Sequence, residues 1–266
     1  MTDTVLVDRT SHEVAVVTLN RPSRLNAMSH ELVADLHHVL GDLSNDRSCR
    51  VVILTGAGRG FCAGLDLKGA GEVEGSEGAG EVDRRMLGQQ HIASLITRMR
   101  GMPQPIVAAV NGPAAGGGLA LALGADIRVA ARSARFNVAF VRVGLSGCDI
   151  GVSWLLPRVI GASRAFELML TGRFVDAPEA ASIGLVSKVV EDGNVVDAAQ
   201  AIAAQIVENS RFGVWMTKEV MWSNLEVGSL HAALDLENRT QILATFTGAM
   251  EAAVAAFDRT SGGDHA

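Results

Sequence analysis

Two glycine-rich turns carry most of the chemistry legible in this chain. RGFCAGLDLK (residues 59–68) follows the apolar run VVILTG, and NGPAAGGGLALALGAD (111–126) follows PIVAAV. Glycine has no Cβ, so a ligand can come close to the backbone there, and a main-chain N–H can donate to an oxygen that gains negative charge during a reaction. Gly117 also opens an apolar helical run, so the positive end of a helix dipole adds to the same stabilisation. Either turn alone reads more readily as a plain link from strand to helix; the pair with its flanks reverses that. One acid stands out beside them, Asp149 in VGLSGCDIGVSWLLPR (143–158). A lone carboxylate can move a proton between carbon atoms, and an aspartate just before IGVSWLL is also a good helix N-cap. Both readings of Asp149 stand open at this point.

Other motifs fail on inspection. ILTGAGRGF resembles the start of a dinucleotide-binding turn, but the third glycine of G-x-G-x-x-G is replaced by Phe61, and no amphipathic helix follows directly. There is no G-x-S-x-G elbow and no Walker loop. His37 and His38 are adjacent on a predicted helix, so they project about 100° apart and cannot share a metal; no metal site is expected. Cys62 has no local feature that would lower its pKa, and it reads as small core filler.

The elements that must position these residues follow from periodicity. Val14–Leu19 and Arg50–Gly56 read as buried strands, and Ser29 caps a helix with Leu32, Leu36, Val39, Leu40 and Leu43 on one face. The acidic stretch GAGEVEGSEGAG (69–80) has no period that could bury a face and is predicted to be a mobile loop. A helix over Asp83–Met99 precedes a strand over Pro105–Gly112. Short strands are expected at Asp126–Ala130 and Arg135–Phe140. Asp176 and Glu179 form a D-x-x-E capping box, LVSKVV is the last strand, and beyond about Val195 the pattern is helical. The expected organisation is a core over residues 1–195 and a C-terminal helical region over 196–266.

With 266 residues, 48% hydrophobic and 20% charged, the chain can bury a large core without disulfides or metal. A net charge of −6 and the lack of any Lys/Arg block argue against nucleic acid as a partner. No apolar run is long enough to cross a membrane. Cys49, Cys62 and Cys148 are an odd number without zinc spacing, and no export signal is recognisable, so free thiols in a reducing cytoplasm are expected.

Taken with RPSRLNAM (21–28), the two glycine turns resemble the crotonase, or enoyl-CoA hydratase/isomerase, superfamily, and the resemblance extends through LLPRVIGASRAFELMLTGRFVDAPEAASIGLVSKVV (155–190). It implies an α/β fold of repeated strand-strand-helix units wound into a spiral, a C-terminal helical part for trimer or hexamer assembly, and acyl-CoA thioesters as substrates, with coenzyme A entering only as part of the thioester. By position, Ala63 matches the first residue of the family's A-G-x-D turn and Gly117 the middle of its G-G-G triplet. The resemblance makes their N–H groups the oxyanion hole for a thioester enolate. It assigns Arg24, Leu25 and Ala27 to the loop along CoA, with Asp66, Leu67 and Lys68 following the oxyanion turn.

The chain also departs from the family. Hydratases of the superfamily carry two glutamates over the substrate, and the matching positions here are Ala120 and Phe140. Neither side chain can move a proton. The turn containing Asp149 carries the single acid of several isomerases and the nucleophilic aspartate of aroyl-CoA dehalogenases. The expected activity is enoyl-CoA isomerisation with Asp149 as proton shuttle. The alternatives are a hydratase with a replaced acid, an Asp149-nucleophile hydrolase or dehalogenase, and an acyl-CoA binder without catalysis.

Overall fold

A computed structural model describes residues 4–67, 78 and 80–261. Lys68 and, apart from Gly78 and Gly80, the loop expected at 69–80 lie outside the described residues. Strands β1 (Val5–Arg9), β2 (Val14–Leu19), β3 (Val51–Gly56), β4 (Ile106–Val110), β5 (Ala114–Ala115), β6 (Ile127–Ala131), β7 (Arg135–Asn137), β8 (Val175–Asp176) and β9 (Lys188–Val190) alternate with helices. The helices are α1 (His30–Asn45), α2 (Glu81–Gly101), α3 (Gly117–Gly124), α4 (Val152–Ile160), α5 (Ala162–Thr171), α6 (Ala177–Ser182), α7 (Val195–Val207), α8 (Arg211–Asn224), α9 (Leu230–Thr245) and α10 (Ala249–Ser261).

The larger sheet runs β1-β2-β3-β4-β6-β9, with β1 antiparallel to β2 and every other neighbour parallel. A smaller sheet, β5-β7-β8, lies where the second glycine turn leaves β4. β3 and β4 are buried along their whole length, as continuous apolar runs require when both faces of a parallel sheet are covered. Side chains alternate between two apolar clusters. Val17, Leu19, Val52 and Leu54 join the cluster with Leu32, Leu36 and Leu40 of α1; Val16, Ile53, Val107 and Val129 join Val195, Ala199 and Ala203 of α7. The helical region expected beyond residue 195 thus begins with a helix that closes the sheet's second face. Of the later helices, α8 meets the first cluster through Trp222.

Several local expectations are met and others are corrected. Ser29 caps α1, its Oγ accepting from Leu32 N at 3.2 Å. Asp176 caps α6 by accepting from Glu179 N at 2.9 Å, but the Glu179 carboxylate is taken by Arg173 at 2.6 Å, so the box is only half formed. The strand expected through Phe140 stops at Asn137, and residues Ala139–Val143 form a 3-10 turn that brings the Phe140 ring against Gly116. Asp126 joins three elements at the α3–β6 turn. Its Oδ2 accepts from Ile106 N at 2.7 Å and lies 3.0 Å from Lys218 Nζ, while Oδ1 accepts from Trp222 Nε1 at 2.7 Å. Lys218 is buried and also donates to the carbonyls of Met99 and Gln104, both at 2.8 Å. Burial pushes its pKa down, against the opposing pull of Asp126. Among the described residues no helix is long and apolar enough to cross a membrane.

Candidate active site

The first glycine turn is clamped between two strands of irregular chain. On one side Phe61 N and Cys62 N both donate to Pro113 O at 3.1 Å, and Ala115 N donates to Cys62 O at 3.0 Å. On the other, Met28 N donates to Gly64 O at 2.8 Å and Asp66 N to Met28 O at 3.0 Å. The segment 21–28 that provides this second wall turns through Leu25 (φ 50°) and Asn26 (φ 56°), a left-handed pair favoured by asparagine and unfavourable for leucine. Asn26 holds it there. It is fully buried, and its Nδ2 donates to Ala57 O at 3.0 Å and to Gly60 O at 2.8 Å, while Oδ1 accepts from Arg21 N at 2.9 Å. Sequence reasoning assigned no role to Asn26; its place between two stretches that diverge in sequence was the missing information. Asn111 does the same for the second turn, its Nδ2 reaching Gly56 O at 2.8 Å and Gly58 O at 3.0 Å.

Two residues of the expected oxyanion hole fare differently. Gly117 is the first residue of α3, and its N–H belongs to the helix's unsatisfied first turn. Ala63 N–H is already spent, donated to Leu25 O at 2.9 Å. The open amide is two residues further on. Gly64 C=O and Asp66 N–H both face Met28, so by strand alternation Leu65 N–H faces the opposite way, toward α3. Among the described residues neither Leu65 N–H nor Gly117 N–H has an acceptor. The two turns touch: a Cβ on Gly64 would lie 3.4 Å from Gly117 N, and one on Gly117 would lie 3.7 Å from Gly64 Cα. A Cβ on Gly118 would stand 2.0 Å from Cys62 O, so the third glycine is what lets α3 pack against the turn. Leu65 and Gly117 border a cavity of about 80 Å³ whose other walls include Leu67, Gly116, Phe140, Val143 and Leu145.

Ala120 is buried inside α3, and Phe140 is buried with its ring on the cavity wall. No acid comes from either position. Asp149 is half-buried and sits one residue before Ile150, whose side chain packs toward Gly117. Its Oδ1 accepts from Ile150 N at 2.8 Å and from Gln89 Nε2 on α2. The N-cap reading of Asp149 is corrected: α4 begins at Val152, its N-cap is Gly151, and no side chain caps it. The Asp149 main-chain carbonyl, not its carboxylate, receives Val152 N at 2.8 Å.

Of Arg24, Leu25 and Ala27, Leu25 is bonded directly to the first glycine turn, its carbonyl accepting from Ala63 N. Arg24 is exposed, Leu25 packs on Gly60, and the Ala27 carbonyl accepts from Arg21 Nη1. Asp66 is ion-paired with Arg21 at 2.9 Å, and Leu67 is exposed. Cys62 is fully buried and its pKa is pushed up to about 12 by desolvation, which agrees with its reading as core filler.

The layered α/β chain thus brings two backbone amides without acceptors among the described residues, Leu65 N–H and Gly117 N–H, to the border of one small cavity. The sequence model of the enoyl-CoA hydratase/isomerase family matches residues 9–259. The chain is 47% identical over 253 residues to the probable enoyl-CoA hydratase EchA12 of Mycobacterium tuberculosis, covering 95% of this chain and 89% of that one. It is 41% identical over 244 residues to the 1,2-epoxyphenylacetyl-CoA isomerase of Escherichia coli, covering 92% and 91%. Among solved structures, a probable enoyl-CoA hydratase/isomerase from Mycobacterium abscessus superposes with a TM-score of 0.92 at 41% identity, covering 97% of this chain and 96% of that chain. A monofunctional enoyl-CoA isomerase from Mycobacterium smegmatis gives 0.74 at 44% identity, covering 88% and 99%. The chain belongs to the enoyl-CoA hydratase/isomerase family and has the crotonase fold.

Proposed function

We propose that this chain is an acyl-CoA isomerase that moves a carbon–carbon double bond through a thioester enolate. Leu65 N–H, in place of the expected Ala63, and Gly117 N–H would receive the thioester oxygen. Asp149 would take a proton from the carbon next to the thioester, leaving a dienolate, and return it to the far end of the conjugated system. No water enters the balance, so one carboxylate suffices. The observation that carries this reading is the pairing of two open amides on a small cavity with an apolar wall at Phe140, with Asp149 next in the chain to Ile150, whose side chain packs toward Gly117. The M. smegmatis relative named as an enoyl-CoA isomerase supports it, while EchA12 and others are named as hydratases.

Arg24, Leu25, Ala27, Asp66, Leu67 and Lys68 would carry the CoA moiety, and no further cofactor is invoked. Leu230 on α9 and Phe246 after it are 75% and 82% exposed, which supports assembly of the C-terminal region into a homotrimer or a dimer of trimers. Three free cysteines fit a reducing, cytoplasmic setting. The test is turnover of a pooled enoyl-CoA panel followed by mass spectrometry and chromatography of products. Double-bond positional isomers of unchanged mass are expected, and Asp149→Asn should lower kcat by about 10²–10⁴-fold while leaving thioester binding intact. A product heavier by one water, or wild-type turnover in Asp149→Asn, would overturn the reading.

A further inference from the structure

We propose that Gln89 is a positioning residue for Asp149: its side-chain amide fixes one carboxylate oxygen and leaves the other for proton transfer. The inference rests on the reading of Asp149 as the acid. Gln89 lies on α2, far from Asp149 in sequence, and is half-buried. Its Nε2 donates to Asp149 Oδ1, the same oxygen that receives Ile150 N–H at 2.8 Å. One oxygen therefore accepts two donors, and among the described residues Oδ2 has no partner. A carboxylate held in this way cannot rotate to exchange its oxygens without losing both bonds, so the oxygen that meets substrate is always the same one.

The chemistry of the donor matters. A neutral amide orients a carboxylate without adding a full positive charge, which would hold it in the ionised form. A proton shuttle has to pass through both forms, so a neutral donor suits it. The anchor also acts on a strained turn. Ile150 has φ 45°, an outlier for a β-branched residue, and its side chain packs toward Gly117. By tying Asp149 to α2, Gln89 helps to keep this turn beside the amide that begins α3.

The experiment compares Gln89→Met, which keeps length and removes the donor, with Gln89→Lys, which keeps a donor and adds charge, and with Asp149→Asn. Enoyl-CoA double-bond migration is followed as a function of pH, and folding is checked by circular dichroism. Gln89→Met should lower kcat by about 10- to 100-fold, as for other small misplacements of a reacting group, with KM for the thioester within about two-fold. The acidic limb of its kcat profile should move to higher pH and that of Gln89→Lys to lower pH, opposite shifts that a packing role would not produce. If Asp149→Asn is inactive while Gln89→Met keeps wild-type kcat and limb, the positioning role is overturned and the acid stands. If Asp149→Asn keeps turnover, the acid itself is wrong and the role of Gln89 falls with it.

Discussion

Replacing Asn26 by alanine removes the peg that holds two loops around the oxyanion turn. Three bonds are lost, leaving the carbonyls of Ala57 and Gly60 and the N–H of Arg21 without that partner. Gly60 O keeps a bond from Asn111 Nδ2 at 3.3 Å; each of the other two groups left unpaired costs about 1–3 kcal/mol, about 2–6 kcal/mol together. Alanine at φ 56° adds about 1–2 kcal/mol. The Arg21 and Ala57 groups lie toward the surface, where water can replace part of the loss, so a destabilisation of about 3–6 kcal/mol is expected. At about 2–4 °C per kcal/mol, thermal unfolding should drop by roughly 10–20 °C. The effect should also reach the chemistry, because Leu25 O anchors Ala63 N–H and Met28 anchors the next residues of the turn. Asn26→Asp keeps the acceptor for Arg21 N but points a carboxylate at two carbonyls, and should be no better than alanine. Calorimetry and steady-state kinetics of both variants test this. A loss below about 1 kcal/mol with unchanged kcat would show that these bonds do not hold the site.

Lys218→Met should cost about 3–5 kcal/mol in urea unfolding, because the half-buried Asp126 loses its cation and the carbonyls of Met99 and Gln104 lose their donor, and adding Asp126→Asn should recover part of that loss. Strict additivity of the two would contradict the pairing. His37 donates from Nε2 to His91 O at 2.9 Å and accepts at Nδ1 from Arg98 Nε at 3.1 Å, so the folded protein holds it neutral. Burial lowers the pKa of His37 from 6.5, as it does that of the stacked His91. The unfolded state then binds more protons as pH falls below about 6.5, so stability present above that pH is lost on the way down to the folded value. The melting temperature should fall between pH 7.5 and 5.5, and His37→Gln should flatten the slope; an identical slope in the variant would refute the assignment.

How much of this was readable from sequence varies with the kind of signal. The central strands declared themselves as continuous apolar runs and α1 by its cap and period, because both faces of β3 and one face of α1 are buried. β1 went unread: four of its five residues are exposed on an edge strand, so burial left no pattern in VLVDR. The two glycine turns meet in the structure, and Gly117 opens α3 as the triplet predicts. That Ala63 N–H is bonded to Leu25 O, while Leu65 N–H has no acceptor among the described residues, depends on bonds from Leu25 and Met28, brought in from another part of the chain. Asp149 was legible as an acid. That α4 starts only at Val152, and that α2 supplies Gln89, depends on three-dimensional packing with no counterpart in local sequence.

The proposed oxyanion hole joins Leu65 N–H and Gly117 N–H on one thioester oxygen, and a crystal structure of the protein with a non-reactive acyl-CoA analogue would show it. That oxygen should lie about 2.7–3.1 Å from both amide nitrogens, with Asp149 Oδ2 facing the adjacent carbon. A thioester oxygen that meets only one of them, or that sits outside the cavity bordered by Gly116 and Phe140, would contradict it.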